Sequence, residues 1–196
     1  METMSIQHIR IWPDPALKET AKPVTQVTDE IRRLVDDLFE TMYAANGVGL
    51  ASTQIAVPLR VLVIDLDPHR QAARNANVAQ ELQAWGFREP TAFINPEIIH
   101  GEGSVVWEEG CLSVPGYTDE VTRQAKVRVR ALDRHGKPFE LDATGLFAVA
   151  LQHEIDHLNG RVFVEYLSKV KRDVVKRKMQ RLKESHDDGV AAAAIL

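Results

Sequence analysis

Cysteine is all but missing from this chain. Cys111 is the only one in 196 residues, which excludes an internal disulfide and leaves three uses for it: a buried hydrophobe, a reactive thiol or a metal ligand. No apolar run approaches the roughly 20 residues that a membrane-spanning helix needs. A net charge of −4 gives no broadly basic surface, so composition points to neither nucleic acid nor membrane as a partner. The start Met1-Glu2-Thr3-Met4-Ser5 lacks the basic residues and apolar stretch of a secretory signal, and the expected location is the cytoplasm. With 44% hydrophobic and 27% charged residues, what remains is an ordinary soluble protein long enough to bury a proper core.

The hydrophobic pattern supplies the elements. Ile31, Leu34, Val35, Leu38, Phe39 and Met42 follow i, i+3, i+4 spacing and predict a long N-terminal helix, started at Thr28 or Asp29 and stopped by Asn46-Gly47. The run Arg60-Val61-Leu62-Val63-Ile64-Asp65, between Pro58 and Pro68, predicts a strand. Further strands are expected at 92–99, 104–107, 121–133 and 137–142, the last two joined by a turn at Arg134-His135-Gly136-Lys137. Val127, Val129 and Ala131 alternate with Arg128, Arg130 and Leu132, as in a sheet with one wetter face. Helix resumes near Gly145 and runs to Asn159-Gly160, with Leu146, Val149, Ala150 and Leu151 as its apolar content. A last helix, over about 168–185, is rich in Lys and Arg. It carries a thin stripe of Val170, Val174, Val175, Met179 and Leu182, packing through Val174 and Met179. Residues 67–90 read as a surface insertion with a helical stretch at 71–85, and 187–196 as a tail with no reason to fold, leaving 1–186 as one unit. Strands clustered between helices without βαβ alternation indicate an α+β fold, with small antiparallel or mixed sheets around a central helix.

That central helix carries Gln152-His153-Glu154-Ile155-Asp156-His157. His153 and His157, four residues apart, share one face and can hold one divalent metal, with Glu154 beside them to handle a proton of water. The pattern predicts metal-assisted hydrolysis of a carbonyl compound. A third protein ligand is required. Glu165 and Glu184 lie downstream, where they read as surface charges. Upstream, Cys111 sits in the Gly-flanked turn Glu109-Gly110-Cys111-Leu112-Ser113, and spacing alone leaves it either a ligand or a buried structural thiol. A third segment, Gly47-Val48-Gly49-Leu50-Ala51-Ser52-Thr53-Gln54, reads by itself as a helix stop followed by a turn.

Together, and in this order, the three segments resemble the signature motifs of the peptide deformylases, and the resemblance runs from about Ile6 to Lys183. Ser52 departs from it, standing where the family usually has alanine, as do the longer 67–90 stretch and the tail. The resemblance implies one catalytic domain whose metal is held by Cys111, His153 and His157. That metal is generally ferrous iron in the family, with zinc, nickel or cobalt able to replace it. It also implies Glu154 as the proton-transfer group, and the Gln54 amide and Leu112 backbone N–H as donors to a developing oxyanion. The implied reaction removes the formyl group from N-terminal formyl-methionine of new polypeptides.

By the same resemblance a substrate strand lies along Val48, Gly49 and Gly110, with Val48, Trp107, Leu146 and Val149 lining an apolar pocket for methionine. The basic final helix, through Lys169, Lys171, Arg172, Lys176, Arg177, Lys178, Arg181 and Lys183, is expected to dock a monomer on the ribosome. Two rivals share the two-histidine helix: a zincin-type peptidase with an acidic third ligand, and a catalytically silent ribosome-associated binding protein.

Overall fold

The computed structural model describes residues 5–66 and 90–186. The helix expected at 71–85 and the tail at 187–196 lie outside the described residues, as does the insertion apart from Pro90. The fold is α+β. Helix α1 (Asp29–Ala44) leads to strand β1 (Gly49–Ala51), a 3-10 turn (Ser52–Ile55) and β2 (Val61–Ile64). Strands β3 (Thr91–Glu102), β4 (Val105–Glu109), β5 (Asp119–Arg123), β6 (Lys126–Leu132) and β7 (Pro138–Thr144) follow. Helices α2 (Gly145–Leu158) and α3 (Lys169–His186) close the order, separated by a 3-10 turn at Phe163–Tyr166. The strands form an antiparallel five-stranded sheet, β1-β2-β3-β6-β7, and a separate β4–β5 hairpin.

Helices cover both faces of the large sheet near β2, which explains the unbroken apolar run there. Val61 and Val63 pack with Val35, Leu38 and Met42 of α1, while Leu62 and Ile64 pack with Phe147, Leu151 and Ile155 of α2. Strand β6 is covered on one face only. Val127, Val129 and Ala131 are buried, while Arg128 and Arg130 point outward and pair with Asp142 of β7 and Glu97 of β3. Helix α2 is buried on nearly all sides, as a helix apolar all round must be. It stops at Gly160, whose φ is +72° and whose missing Cβ would lie 2.4 Å from the Lys18 carbonyl oxygen.

Three expectations need correction. Residues 121–133 are two strands, broken at Gln124-Ala125, because β5 pairs with β4 and β6 joins the large sheet. The break is held by Gln152 of α2, whose Oε1 accepts from Gln124 N at 2.9 Å and whose Nε2 donates to Gln124 O at 3.0 Å. Secondly, Gly49–Ala51 is a strand rather than part of a turn. Lastly, α3 packs through Val175 and Met179, both fully buried, while Val170 and Val174 face solvent. Thr28 does stand at the N-cap of α1, but its hydroxyl donates to Glu30 instead of capping.

The α3 correction has a measurable consequence. Met179→Ala should cost about 2–5 kcal/mol in urea denaturation, whereas Val170→Ala should stay within about 0.5 kcal/mol of the parent. Equal losses would show that the helix is seated on another face.

Candidate metal centre and active site

The buried apolar residues of α2 carry a short run of ionisable side chains into the interior. His153, Glu154 and His157 are each less than a tenth exposed. The imidazole rings stand 5.0 Å apart at 71° to one another, the relation that the i, i+4 spacing dictates. The β4–β5 hairpin then delivers Cys111 just past the end of β4, and its Sγ lies 3.2 Å from His157 Nε2. One ligand atom each from Cys111, His153 and His157 falls within 4.8 Å of the others, and among the described residues no other such group of His, Cys, Asp or Glu occurs. Glu165 and Glu184 are exposed and lie outside this group.

Strand β1 supplies the opposite wall. An added Cβ at Gly49 would sit 2.5 Å from Glu154 Oε1, so only glycine lets the strand pass this close to the carboxylate. The 3-10 turn after β1 then presents Gln54. Its Oε1 accepts from Ala51 N at 2.8 Å, and its Nε2 lies 3.1 Å from Ser113 Oγ and 3.7 Å from Cys111 Sγ. Thr53 Oγ1 donates to His157 O at 3.0 Å, tying this turn to the end of α2. Ser52, the departure from the family pattern, is fully buried and its hydroxyl bonds to Leu59 O.

One cavity gathers almost every residue singled out in the sequence. Val48, Gly49 and Gln54 line one side, and Trp107, Gly110, Cys111 and Leu112 the hairpin side. Leu146, Val149, His153 and Glu154 form the helical floor. His157 lies behind Cys111 and does not line the cavity.

The sequence reading left four residues without a role. Glu109 Oε2 sits 2.8 Å from His153 Nδ1, which fixes the imidazole with Nε2 toward the ligand cluster. Arg123 grips the same carboxylate through Nε (2.6 Å) and Nη2 (3.0 Å), and Asp156 through Nη1 (2.5 Å). Tyr166 donates to Asp156 Oδ2 at 2.9 Å, and its ring lies 4.7 Å from the guanidinium carbon. Glu109 and Asp156 stood inside quoted motifs without a task. Arg123 shares the inward parity of Val121 in β5, and an arginine at an inward position signals a buried ion pair. Tyr166 left no comparable signal.

These contacts sort the buried charges. Burial alone would raise Glu109, yet hydrogen bonds from His153 and Arg123 hold it at about 2. Burial likewise opposes the charge on Arg123, and its two carboxylate partners outweigh it and raise the pKa. Burial, together with the neighbouring His153 and Arg123, keeps His157 far below the ordinary histidine value. On His153 burial is outweighed by the Cys111 sulfur and Glu109, which hold that imidazole well above it, so ligation would displace its proton. Glu154 is pushed up to about 7 by burial, and its Oε2 has no hydrogen-bond partner among the described residues.

The residues fit a divalent cation. Glu109, Asp156 and Arg123 together leave one negative charge, and a ligating thiolate at Cys111 adds a second. A doubly charged ion balances both. One sulfur and two imidazole nitrogens suit several transition metals, and three protein ligands leave a position open for chemistry.

Comparison with known proteins agrees with this geometry. Residues 6–173 match the polypeptide deformylase family. The chain is 50% identical over 179 residues to a peptide deformylase of Alkalilimnicola ehrlichii, covering 91% of this chain and 92% of that one. It resembles a crystal structure of a peptide deformylase from Legionella pneumophila, with a TM-score of 0.80 and 44% identity over 93% of this chain and 98% of the other. It is equally similar, with a TM-score of 0.80, to the Ehrlichia chaffeensis peptide deformylase in complex with actinonin, at 40% identity over 93% and 98% of the two chains.

The contact between Gly49 and Glu154 makes a sharp test. Gly49→Ala should displace the carboxylate and lower hydrolytic turnover by about a hundredfold, with little change in thermal midpoint. Turnover within twofold of the parent would show that Glu154 does not need its observed position.

Proposed function

The chain belongs to the polypeptide deformylase family, and on that premise we propose how its own residues remove the formyl group from N-terminal formyl-methionine, leaving formate and a free α-amine. The observation that carries this assignment of roles is convergence. Cys111 and His153, with His157 Nε2 3.2 Å from the Cys111 sulfur, gather with the Glu154 carboxylate and the Gln54 amide at one cavity with an apolar wall.

Cys111, His153 and His157 would hold the metal, which when bound supplies Lewis acidity and brings the ionisation of water toward neutral pH. We take ferrous iron as the native ion, with zinc, nickel or cobalt able to occupy the same donors. Glu154, with an oxygen that no described residue bonds, takes a proton from the attacking water. As the formyl carbon becomes tetrahedral, the Gln54 amide and the Leu112 backbone N–H donate to the developing oxyanion, a contribution of about 3 kcal/mol for each such donor. Glu154 then delivers its proton to the departing amine. The peptide runs as an added strand beside Val48, Gly49 and Gly110. Backbone pairing reads no side chain, so Val48, Trp107, Leu146 and Val149 provide selectivity for methionine.

We further place residues 1–186 in one catalytic domain, acting as a cytoplasmic monomer. Among the described residues no helix is long and apolar enough to cross a membrane. Helix α3 is the candidate ribosome-docking surface. Lys171 and Lys178 turn back onto the protein, to Asp119 and to Gly116 O, while Lys169, Lys176, Arg177 and Lys183 are exposed. These cations suit phosphate contacts that ignore sequence and weaken with salt. The peptidase reading loses its acidic third ligand to Cys111 and is not favoured.

Formate release tests the assignment. Protein reconstituted anaerobically with Fe2+ should deformylate formyl-Met-Ala-Ser and largely spare formyl-Asp-Ala-Ser. Glu154→Gln should lose at least about a hundredfold in rate while keeping its metal. Near-parental turnover in that variant would remove Glu154 from the proton path, and equal rates on both peptides would remove the pocket.

Docking has its own measurement. Lys176→Glu with Arg177→Glu should reduce co-sedimentation with ribosomes and flatten its salt dependence by about two phosphate contacts, while formate release from short peptides stays unchanged. Undiminished co-sedimentation would exclude α3 as the docking surface.

A further inference from the structure

A chain of contacts runs from the ligand cluster to the molecular surface and ends on a residue with no place in the reaction. His153 Nδ1 bonds to Glu109, Glu109 is gripped at both oxygens by Arg123, and Arg123 reaches across to Asp156. The Glu109 and Arg123 side chains are 3% and 4% exposed, that of His153 9% and that of Asp156 14%. Tyr166, half exposed in the 3-10 turn before α3, closes that remaining side. Its hydroxyl donates to Asp156 Oδ2, the oxygen that Arg123 also uses, and its ring covers the guanidinium at 4.7 Å.

Two physical effects meet there. An arginine ion pair gains strength as water is excluded, and an aromatic face over a guanidinium both excludes water and attracts the cation. A hydroxyl donated to the shared carboxylate oxygen limits the positions that Asp156 can take, and so those of Arg123. Contacts of this kind behind a ligand orient the imidazole and tune how tightly it holds a metal.

We propose that Tyr166 is a positioning residue for the metal centre: it seals the Arg123–Asp156 pair and thereby fixes Glu109 behind His153, slowing loss of the metal. The inference rests on Cys111, His153 and His157 being the ligands. Tyr166 touches neither the cavity nor the ligand atoms, so its effect is on metal retention rather than on peptide binding.

The experiment follows transfer of Zn2+ from reconstituted protein to a chromogenic chelator, with thermal midpoints recorded beside it. Tyr166→Ala, which removes ring and hydroxyl, should release metal about tenfold faster, near the lower end for groups behind a ligand because it acts through two intermediaries. Tyr166→Phe keeps the ring and should fall between that variant and the parent. KM for formyl-Met-Ala-Ser should stay within twofold in both. A residue serving only the fold would lower the thermal midpoint and leave the release rate of the folded protein unchanged, and that result would overturn the proposal. Cys111→Ser, loaded in parallel, separates the two layers. If it binds no zinc while Tyr166→Ala releases at the parental rate, the ligand assignment stands and the role of Tyr166 falls. If it retains zinc at full stoichiometry, both fall.

Discussion

Helix α2 carries His153, Glu154 and His157 through the interior, with Asp156 at its margin, where an unpaired buried charge costs several kcal/mol. That cost constrains everything around the helix. The β4–β5 hairpin brings Glu109 to one imidazole and Arg123 to Asp156, so the hairpin is both a charge partner and the carrier of Cys111. The 3-10 turn after β1 brings Thr53 to the end of the helix and Gln54 to the sulfur. Elements far apart in sequence are thus held in register by the need to compensate buried charge, and the cavity is what lies between them.

The same constraint accounts for a break in the strand pattern. Had residues 121–132 run as one strand, Arg123 would have stayed with the large sheet and Cys111 would have lost its hairpin. Gln152, the residue before the first histidine, meets both backbone polar groups of Gln124 where the chain leaves one sheet for the other. The first position of the helical motif therefore serves strand topology, while the positions after it carry the side chains proposed for chemistry.

Much of this was legible in the sequence, and the exceptions share a cause. Helices α1 and α2, strand β2 and the alternation in β6 follow from local periodicity, and the histidine pair from motif spacing, while Cys111 joins that pair only through the resemblance to the peptide deformylases. The split at Gln124 could not be seen, because Val121, Arg123, Val127 and Val129 keep one parity across it and the hydrogen bond that enforces it comes from 28 residues away. The register of α3 failed for a similar reason. Val174 and Val175 fit a thin stripe equally well, and only the cluster of Trp12, Val114, Phe163 and Leu167 selects Val175. Strand β1 is too short to show a period at all, and its pairing with β2 decides it. The cavity residues were legible as a set, but the Glu109–Arg123–Asp156–Tyr166 chain behind them is tertiary and carries no local signature.

Two carboxylates show how the fold divides labour between binding and chemistry. Glu109 and Glu154 are buried to a similar degree, 3% and 5% exposed, so burial cannot be what separates them. Glu109 is surrounded by donors from His153 and Arg123 and is held at about 2, permanently charged and able only to orient. Glu154 meets the missing side chain of Gly49 on one oxygen and, among the described residues, no partner on the other, and stands at about 7, where gaining and losing a proton are nearly balanced. Under the proposed mechanism Glu154 exchanges a proton in each turnover, which a carboxylate fully bonded by the protein could not do, and Glu109 holds a ligand still, which a free carboxylate could not do. The glycine at position 49 and the arginine at position 123 are the residues that make this difference: one withholds contacts, the other supplies them.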